Sequence, residues 1–192
     1  MKIVIVDLGF GNIGSVRLAF GRFGIEPVVT ADAEQISQAD KVILPGVGAA
    51  GFAMERIDAL GLRNTLTNLR QPALGICLGM QLLFEGSDEE DTACLGLIPG
   101  RARMLEAAPG RPVPHMGWTR VQVHGPDLGL NDGDYLYFAH SYACDAGDAA
   151  VATATYGREI AAAVRQGNWL GAQFHPERSG EAGARFLERF LA

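Results

Sequence analysis

The feature that most constrains this chain is Gly75-Ile76-Cys77-Leu78-Gly79, set directly at the end of the apolar run 73–77. A nucleophile framed as G-x-Cys-x-G needs a sharp, strained turn from the end of a strand into a helix, because there the side chain stands clear of the sheet. Side chains at the two glycine positions would collide with neighbouring backbone. The chain must therefore build a strand–turn–helix unit with a thiol at the strand's carboxyl end. The first amides of the following helix would face the sulfur and favour thiolate. The competing reading, an inert core cysteine, leaves the glycine frame without a reason. Cys94 and Cys144 have no such frame, and for them the inert reading holds.

The first half of the chain supplies the sheet that such a turn needs. Residues 2–7 (KIVIVD) form a continuous β-branched run, as strands buried on both faces do. A glycine-rich turn at 9–14 follows, then Val16, Leu18, Ala19 and Phe23 at helical spacing, ending near Gly24. Further strands are expected at 27–30, 41–44 and 73–77, with helices at 33–38, 52–69 and 80–85. Alternating strands and helices of this kind make right-handed βαβ units, with sites at the carboxyl ends of the strands. The second half reads as strands at 100–105, 118–123, 134–139, 150–156, 160–166 and 169–174, broken by Gly, Pro, Asn and Asp, with a last helix at 180–191. The expected fold is α/β: a mostly parallel, doubly wound sheet flanked by helices, with an antiparallel β extension. No linker or repeat divides the chain, so residues 1–192 read as a single domain.

Composition narrows the function. The net charge is −6, with 16 Lys and Arg against 22 Asp and Glu, which argues against a nucleic-acid partner. Three cysteines at irregular spacing make neither a disulfide framework nor a C-x-x-C zinc site. No apolar run reaches the ~18–20 residues of a membrane span, and the N-terminal apolar stretch is too short for a secretory signal. A reducing, cytoplasmic setting with no membrane contact is the expectation.

A thiol nucleophile calls for a histidine base, and the base for a group that holds its tautomer. His175 ends the apolar run 169–174, and Glu177 stands two residues on. On an extended chain these two point to one face, and Pro176 between them restricts the backbone. Alone, His-Pro-Glu is a weak match. Together with the elbow, Cys77, His175 and Glu177 form a specific constellation.

With these residues the chain resembles the type 1, Cys-His-Glu triad glutamine amidotransferases. GICLGMQ at 75–81, PGVG at 45–48 and HPE at 175–177 carry the likeness, which runs from the first strand to the last. DLGFGNIGSV at 7–16, PHMGW at 114–118 and YFAHSY at 137–142 bring it nearest to the glutaminase subunits of imidazole glycerol phosphate synthases, enzymes of histidine biosynthesis. The resemblance implies that Cys77 attacks the side-chain amide of glutamine, that His175 moves the proton and that Glu177 orients His175. It implies oxyanion donors at the amides of Leu78 and Val47. Glycines at 46 and 48 would let a peptide there flip. It places Gly48, Gln81, Glu89, Ser141 and Tyr142 around the glutamine. Glu89 could equally be a solvated acid of the run SDEED.

The same resemblance implies a heterodimer with a β/α-barrel cyclase, which takes the ammonia to make imidazole glycerol phosphate and an aminoimidazole carboxamide nucleotide. His115, Met116, Gly117, Trp118 and Tyr137 are the candidates for the docking face, with Arg178 at its edge. Two residues depart from the family pattern: Thr119 stands where Asn is usual and Arg178 where Lys is usual. No cofactor and no metal are expected. Gly9-Phe10-Gly11-Asn12-Ile13-Gly14, with Asp32 further on, also matches a dinucleotide-binding fingerprint, but that reading leaves the elbow and HPE unexplained. A glutaminase serving anthranilate or pyridoxal phosphate synthesis is a second competing reading. A third is an inactive scaffold subunit, against which the complete triad argues.

Overall fold

A computed structural model describes residues 1–125 and 128–192. Strand β1 (Ile3–Val6) is buried along its whole length. Ile3 and Ile5 enter one core with Phe20, Phe174 and Phe186, while Val4 and Val6 enter another with Leu44, Ile57 and Met80. Two cores on opposite faces explain why the run carries no polar alternation. Each such side chain contributes about 1.5–3 kcal/mol on burial. Helix α1 (Ile13–Gly21), strand β2 (Val28–Thr30), helix α2 (Ala33–Ser37) and strand β3 (Lys41–Gly46) come next. They are followed by α3 (Ala50–Ala59), α4 (Arg63–Thr67), β4 (Ala73–Cys77) and the single turn α5 (Leu78–Gln81).

The stretch 52–69 is thus two helices and not one. Gly61, at φ 66°, ends α3 in the left-handed conformation, and the Leu62 amide returns to the Ile57 carbonyl at 2.9 Å. The helix expected at 80–85 is also shorter. The carbonyls of Leu82 and Leu83 accept from Leu95 and Leu97 at 2.9 and 2.8 Å. Those bonds divert the chain into strand β5 (Phe84–Ser87), which joins β6 (Thr92–Ala93) and β7 (Ile98–Met104).

The second half supplies β8 (His115–Val123), β9 (Tyr135–His140), β10 (Tyr142–Cys144), β11 (Ala150–Tyr156), β12 (Arg158–Gln166) and β13 (Trp169–Ala172). A 3-10 turn (Pro176–Arg178) and helix α6 (Gly180–Leu191) close the chain. One sheet has nine strands in the order β2-β1-β3-β4-β13-β12-β11-β8-β9; a second has four, β10-β7-β5-β6. The α/β expectation holds, with a larger antiparallel share than expected. In the nine-stranded sheet four neighbouring pairs are parallel and four antiparallel. Strand β13 is the seam, lying parallel to β4 and antiparallel to β12. The carboxyl ends of β4 and β13 therefore emerge side by side.

Helix α6 supports that edge from below. Its buried stripe Ala182, Gly183, Phe186, Leu187 and Phe190 follows helical spacing. Phe186 packs edge-on against Phe174 at 5.0 Å. A Cβ on Gly183 would lie 2.1 Å from the Pro176 carbonyl oxygen, so the helix can cross beneath the His-Pro-Glu segment only with glycine there. No helix among the described residues is long and apolar enough to cross a membrane.

Candidate active site

Cys77 closes β4 with φ 54° and ψ −111°, a left-handed backbone that a non-glycine residue rarely adopts. Such strain costs roughly 1–3 kcal/mol and persists only where the surroundings impose it. Close packing imposes it here. A Cβ on Gly79 would sit 1.9 Å from the Leu44 carbonyl oxygen, and one on Gly75 would sit 2.6 Å from the Gly79 oxygen. Helix α5 is thereby pressed against β3 and β4, and the thiol is turned out at the end of the sheet.

His175 follows β13 and is held by its backbone from two sides. Its amide donates to the Tyr137 carbonyl at 2.8 Å, and its carbonyl accepts from the Ser179 hydroxyl at 2.7 Å. Ser179 Oγ in turn accepts from the Tyr137 amide at 2.9 Å. The His175 Nδ1 meets Glu177 Oε1 at 2.9 Å. The contact arises differently from the extended-chain expectation. His175 is extended, but Pro176 opens a 3-10 turn, for which its fixed φ is suited. That turn folds Glu177 back onto the ring.

The electrostatics agree with the geometry. Burial alone would lower the His175 pKa; hydrogen bonding and charge from Cys77 and Glu177 overcome it and raise the value to about 10. The Glu177 side chain is 1% exposed, and its Oε2 has no hydrogen-bond partner among the described residues. The imidazolium is thus the carboxylate's main compensation, and the carboxylate in turn favours the charged form of the ring.

In front of the thiol lies a cavity of about 360 Å³, within the ~300–1,000 Å³ range of small-ligand sites. Cys77, Leu78 and Gln81 line it, with Val47 and Gly48. Glu89, His140, Ser141, Tyr142, Pro114 and Met116 complete the lining. A larger cavity of about 570 Å³, around Arg101, Arg103 and Asp145, holds no nucleophile. Volume does not choose between them; the thiol and its base do. Among the described residues no cluster of His, Cys, Asp or Glu could hold a metal.

A family model, glutamine amidotransferase class-I, matches residues 4–192. The chain belongs to that family. It is 50% identical over 193 residues to the imidazole glycerol phosphate synthase subunit HisH of Xylella fastidiosa, covering 99% of this chain and 96% of that one. The corresponding subunit of Idiomarina loihiensis is 47% identical over 192 residues, with 100% and 97% covered. A crystal structure of a glutamine amidotransferase, 19% identical, superposes over the full length of both chains with a TM-score of 0.77. A putative GMP synthase protein from Thermoplasma acidophilum, 17% identical, gives 0.74 over 100% of this chain and 92% of that one. These two share the fold.

Within this amidotransferase the residues singled out from sequence are distributed as follows. Gly48 has φ 89° and borders the cavity beside Val47. Gly46 is not a hinge: a Cβ there would meet the Gly79 amide at 2.7 Å, so its role is close packing. Glu89 is not merely solvated, since its Oε2 accepts from the Ala50 amide at 2.7 Å at the start of α3. The Gln81 NH2 group donates to the Tyr142 carbonyl at 2.7 Å and to Gln173 Oε1 at 2.9 Å. What Gln81 can offer a ligand is its own oxygen.

Met116 and Trp118 are 65% and 54% exposed on one face of β8. Trp118 lies edge-on to Tyr137 at 6.0 Å, and the Arg178 guanidinium covers the Tyr137 ring at 4.4 Å. Gly117 lies between them on the strand, half-buried at φ 152°. His115 does not share this face. It is 3% exposed and stacked on Tyr156 at 3.9 Å, because alternate residues of a strand face opposite sides. Asp32, the carboxylate of the dinucleotide reading, accepts from the Gln35 amide at 2.8 Å as the N-cap of α2.

Sequence reasoning missed His140 and Gln173. His140 lies on the cavity wall, and Gln173 Nε2 is 3.7 Å from Cys77 Sγ. Signals for both were present. Gln173 is a polar residue inside an apolar strand, two positions before His175 and so on the same face. His140 shares a face of β9 with the buried Leu136 and Phe138.

Proposed function

We infer that this chain is the glutaminase subunit of an imidazole glycerol phosphate synthase, folded as one unit over residues 1–192. The observation that carries this reading is the combination of near-50% identity to HisH subunits along the whole chain with a strained cysteine elbow facing a buried His–Glu pair. The Cys77 thiolate attacks the carboxamide carbon of glutamine. The amides of Leu78 and Val47 receive the charge that develops on the carbonyl oxygen; one such donor is typically worth ~10²–10³ in rate. The C–N bond breaks as His175 gives its proton to the leaving nitrogen, and ammonia departs. A γ-glutamyl thioester remains on Cys77. Water, losing its proton to His175, hydrolyses that thioester to glutamate and frees the thiol.

Gly48, Gln81, Glu89, Ser141 and Tyr142 hold the substrate. The ammonia passes to a cyclase subunit of β/α-barrel form. Free ammonia in neutral water is protonated and lost as a nucleophile, so docking of the two subunits keeps it reactive. Met116, Trp118, Tyr137 and Arg178 form the docking face, with Arg178 in place of the usual Lys, whereas Thr119 alternates with Trp118 and is turned to His115. Arg at 178 keeps the charge of Lys but presents a planar fork, here stacked on Tyr137. The three cysteines are free thiols, in keeping with work in the cytoplasm.

The test is glutamate release from glutamine by the protein alone, with the barrel cyclase of the same source, and with that cyclase and its nucleotide ligand. Low release alone and a sharp rise only with partner and ligand is the expected result. A rise with a different acceptor synthase, and none with the cyclase, overturns the assignment of partner while leaving the glutaminase chemistry in place.

A further inference from the structure

Two polar chains meet at the Tyr142 carbonyl. Its oxygen accepts from His140 Nδ1 at 2.8 Å and from Gln81 Nε2 at 2.7 Å. A carbonyl can only accept, so it sets the direction of every bond behind it. On one branch, His140 carries its proton on Nδ1, which makes its Nε2 the acceptor for His115 Nδ1 at 3.1 Å. His115 Nε2 then accepts from the Thr119 hydroxyl at 2.8 Å. This assignment needs both rings neutral, and burial holds both near pKa 4. On the other branch, the second N–H of Gln81 meets Gln173 Oε1 at 2.9 Å. The Gln173 amide is thereby turned so that its Nε2 faces Cys77 Sγ at 3.7 Å. Gln173 is completely buried, and no water competes for that N–H.

We propose that Gln173 is a catalytic residue that stabilises the Cys77 thiolate through its side-chain N–H, and that the Tyr142 carbonyl, clamped by His140, positions it through Gln81. The proposal deepens the glutaminase reading and rests on it. A reversed Gln173 amide would aim an oxygen at the thiolate and its NH2 at the NH2 of Gln81. The Tyr142 carbonyl cannot donate, so it fixes the direction of Gln81 and Gln173 by itself, and the His140 branch ends on the same oxygen and clamps it in place. The titratable groups around the sulfur are His175 with Glu177 behind it, and His140, Glu89 and Tyr142 on the cavity wall. Gln173 supplies what none of these does: a neutral donor whose strength does not vary with pH.

The experiment is alkylation of Cys77 by iodoacetamide across pH, followed by peptide mass spectrometry, with no glutamine present. Cys94 and Cys144 are buried, with thiols pushed upward by desolvation, Cys94 to about 11, so the Cys77 peptide is read against slow neighbours. Gln173→Met keeps the volume and removes the donor. It is expected to slow alkylation at pH 7 roughly tenfold and to move the profile up by about one pH unit. Gln81→Met, which removes the donor that orients Gln173, is expected to shift the profile the same way by a smaller amount. Nitrogen-15 NMR of the wild-type rings is expected to find both His115 and His140 protonated on Nδ1. An unmoved alkylation profile in folded Gln173→Met overturns the role of Gln173. Should that variant not fold, protonation of His140 on Nε2 in the wild type, which leaves the Tyr142 carbonyl unclamped, or an unmoved profile in Gln81→Met, overturns the positioning of Gln173. If alkylation behaves as expected while no glutamate is released with any partner, the glutaminase reading fails while the hydrogen bond from Gln173 to the thiolate stands.

Discussion

Two histidine sites flank the same thiol, are buried to the same degree, and titrate in opposite directions. His175 and His140 are each 6% exposed. Desolvation disfavours the imidazolium at both. At His175 the Cys77 thiol and the Glu177 carboxylate reverse that effect and raise the pKa to about 10. At His140 burial wins and the pKa falls to about 4. The charges of His115, His175 and Arg158 add to that fall, and the Tyr142 carbonyl only partly opposes it. One side chain thus becomes a proton carrier just after β13 and a neutral strut at the end of β9. The neighbours decide the role, not the depth.

The largest effect that would break this comparison is expected from Cys77→Ala. It should lower glutamine hydrolysis by ~10⁴-fold or more and move the His175 titration, followed by NMR, downward from about 10. Activity surviving in this variant would place the chemistry elsewhere. Glu177→Gln should leave KM for glutamine nearly unchanged and lower kcat by up to ~10⁴, since the orienting charge is lost while the cavity stays intact. It too should lower the His175 pKa, with His140 unmoved. Val47→Pro removes one backbone donor beside Cys77 and should lower kcat by ~10²–10³, with Val47→Ala as a control that keeps the amide. A Val47→Pro variant as active as Val47→Ala would remove that amide from the oxyanion site.

These residues differ in how legible they are in the sequence. The parallel strands declare themselves because burial on both faces leaves an uninterrupted apolar run, as in residues 3–6 and 73–77. The elbow is legible because Gly75 and Gly79 are required by contacts of the backbone itself. The four-stranded sheet is not. Strand β5 is Phe-Glu-Gly-Ser and β6 is two residues long, so neither has a period to read, and only pairing, of β5 with β7 and of β6 with β5, makes them strands. HMGW taken as one block puts His115 on the exposed face. Taken in alternation it puts Met116 and Trp118 outside and His115 inside, as the burial of β8 has them. Gln173 stands out as a polar residue in an apolar run, but its role does not, because that depends on Gln81 and Tyr142, which are distant in sequence.

The smallest expected effect separates the two histidine sites through stability. A group whose folded pKa is raised binds its proton more tightly in the native state, so its contribution is complete below the unfolded value of ~6.5 and declines as pH rises toward the folded one. For His175 that window runs from about 6.5 to about 10. A histidine whose folded pKa is depressed behaves oppositely. For His115 and His140 the contribution is complete above ~6.5 and is lost as pH falls toward about 4. Thermal melting across pH should therefore show a stability maximum with two limbs of separate origin. Glu177→Gln should flatten the alkaline limb and leave the acid limb unchanged. In a chain of this size a change of about 1 kcal/mol moves Tm by about 2–4 °C, so the difference between limbs is measurable. If Glu177→Gln flattens the acid limb instead, or both limbs equally, then the two sites are coupled through the thiol between them. The contrast between carrier and strut would in that case describe one titrating unit and not two.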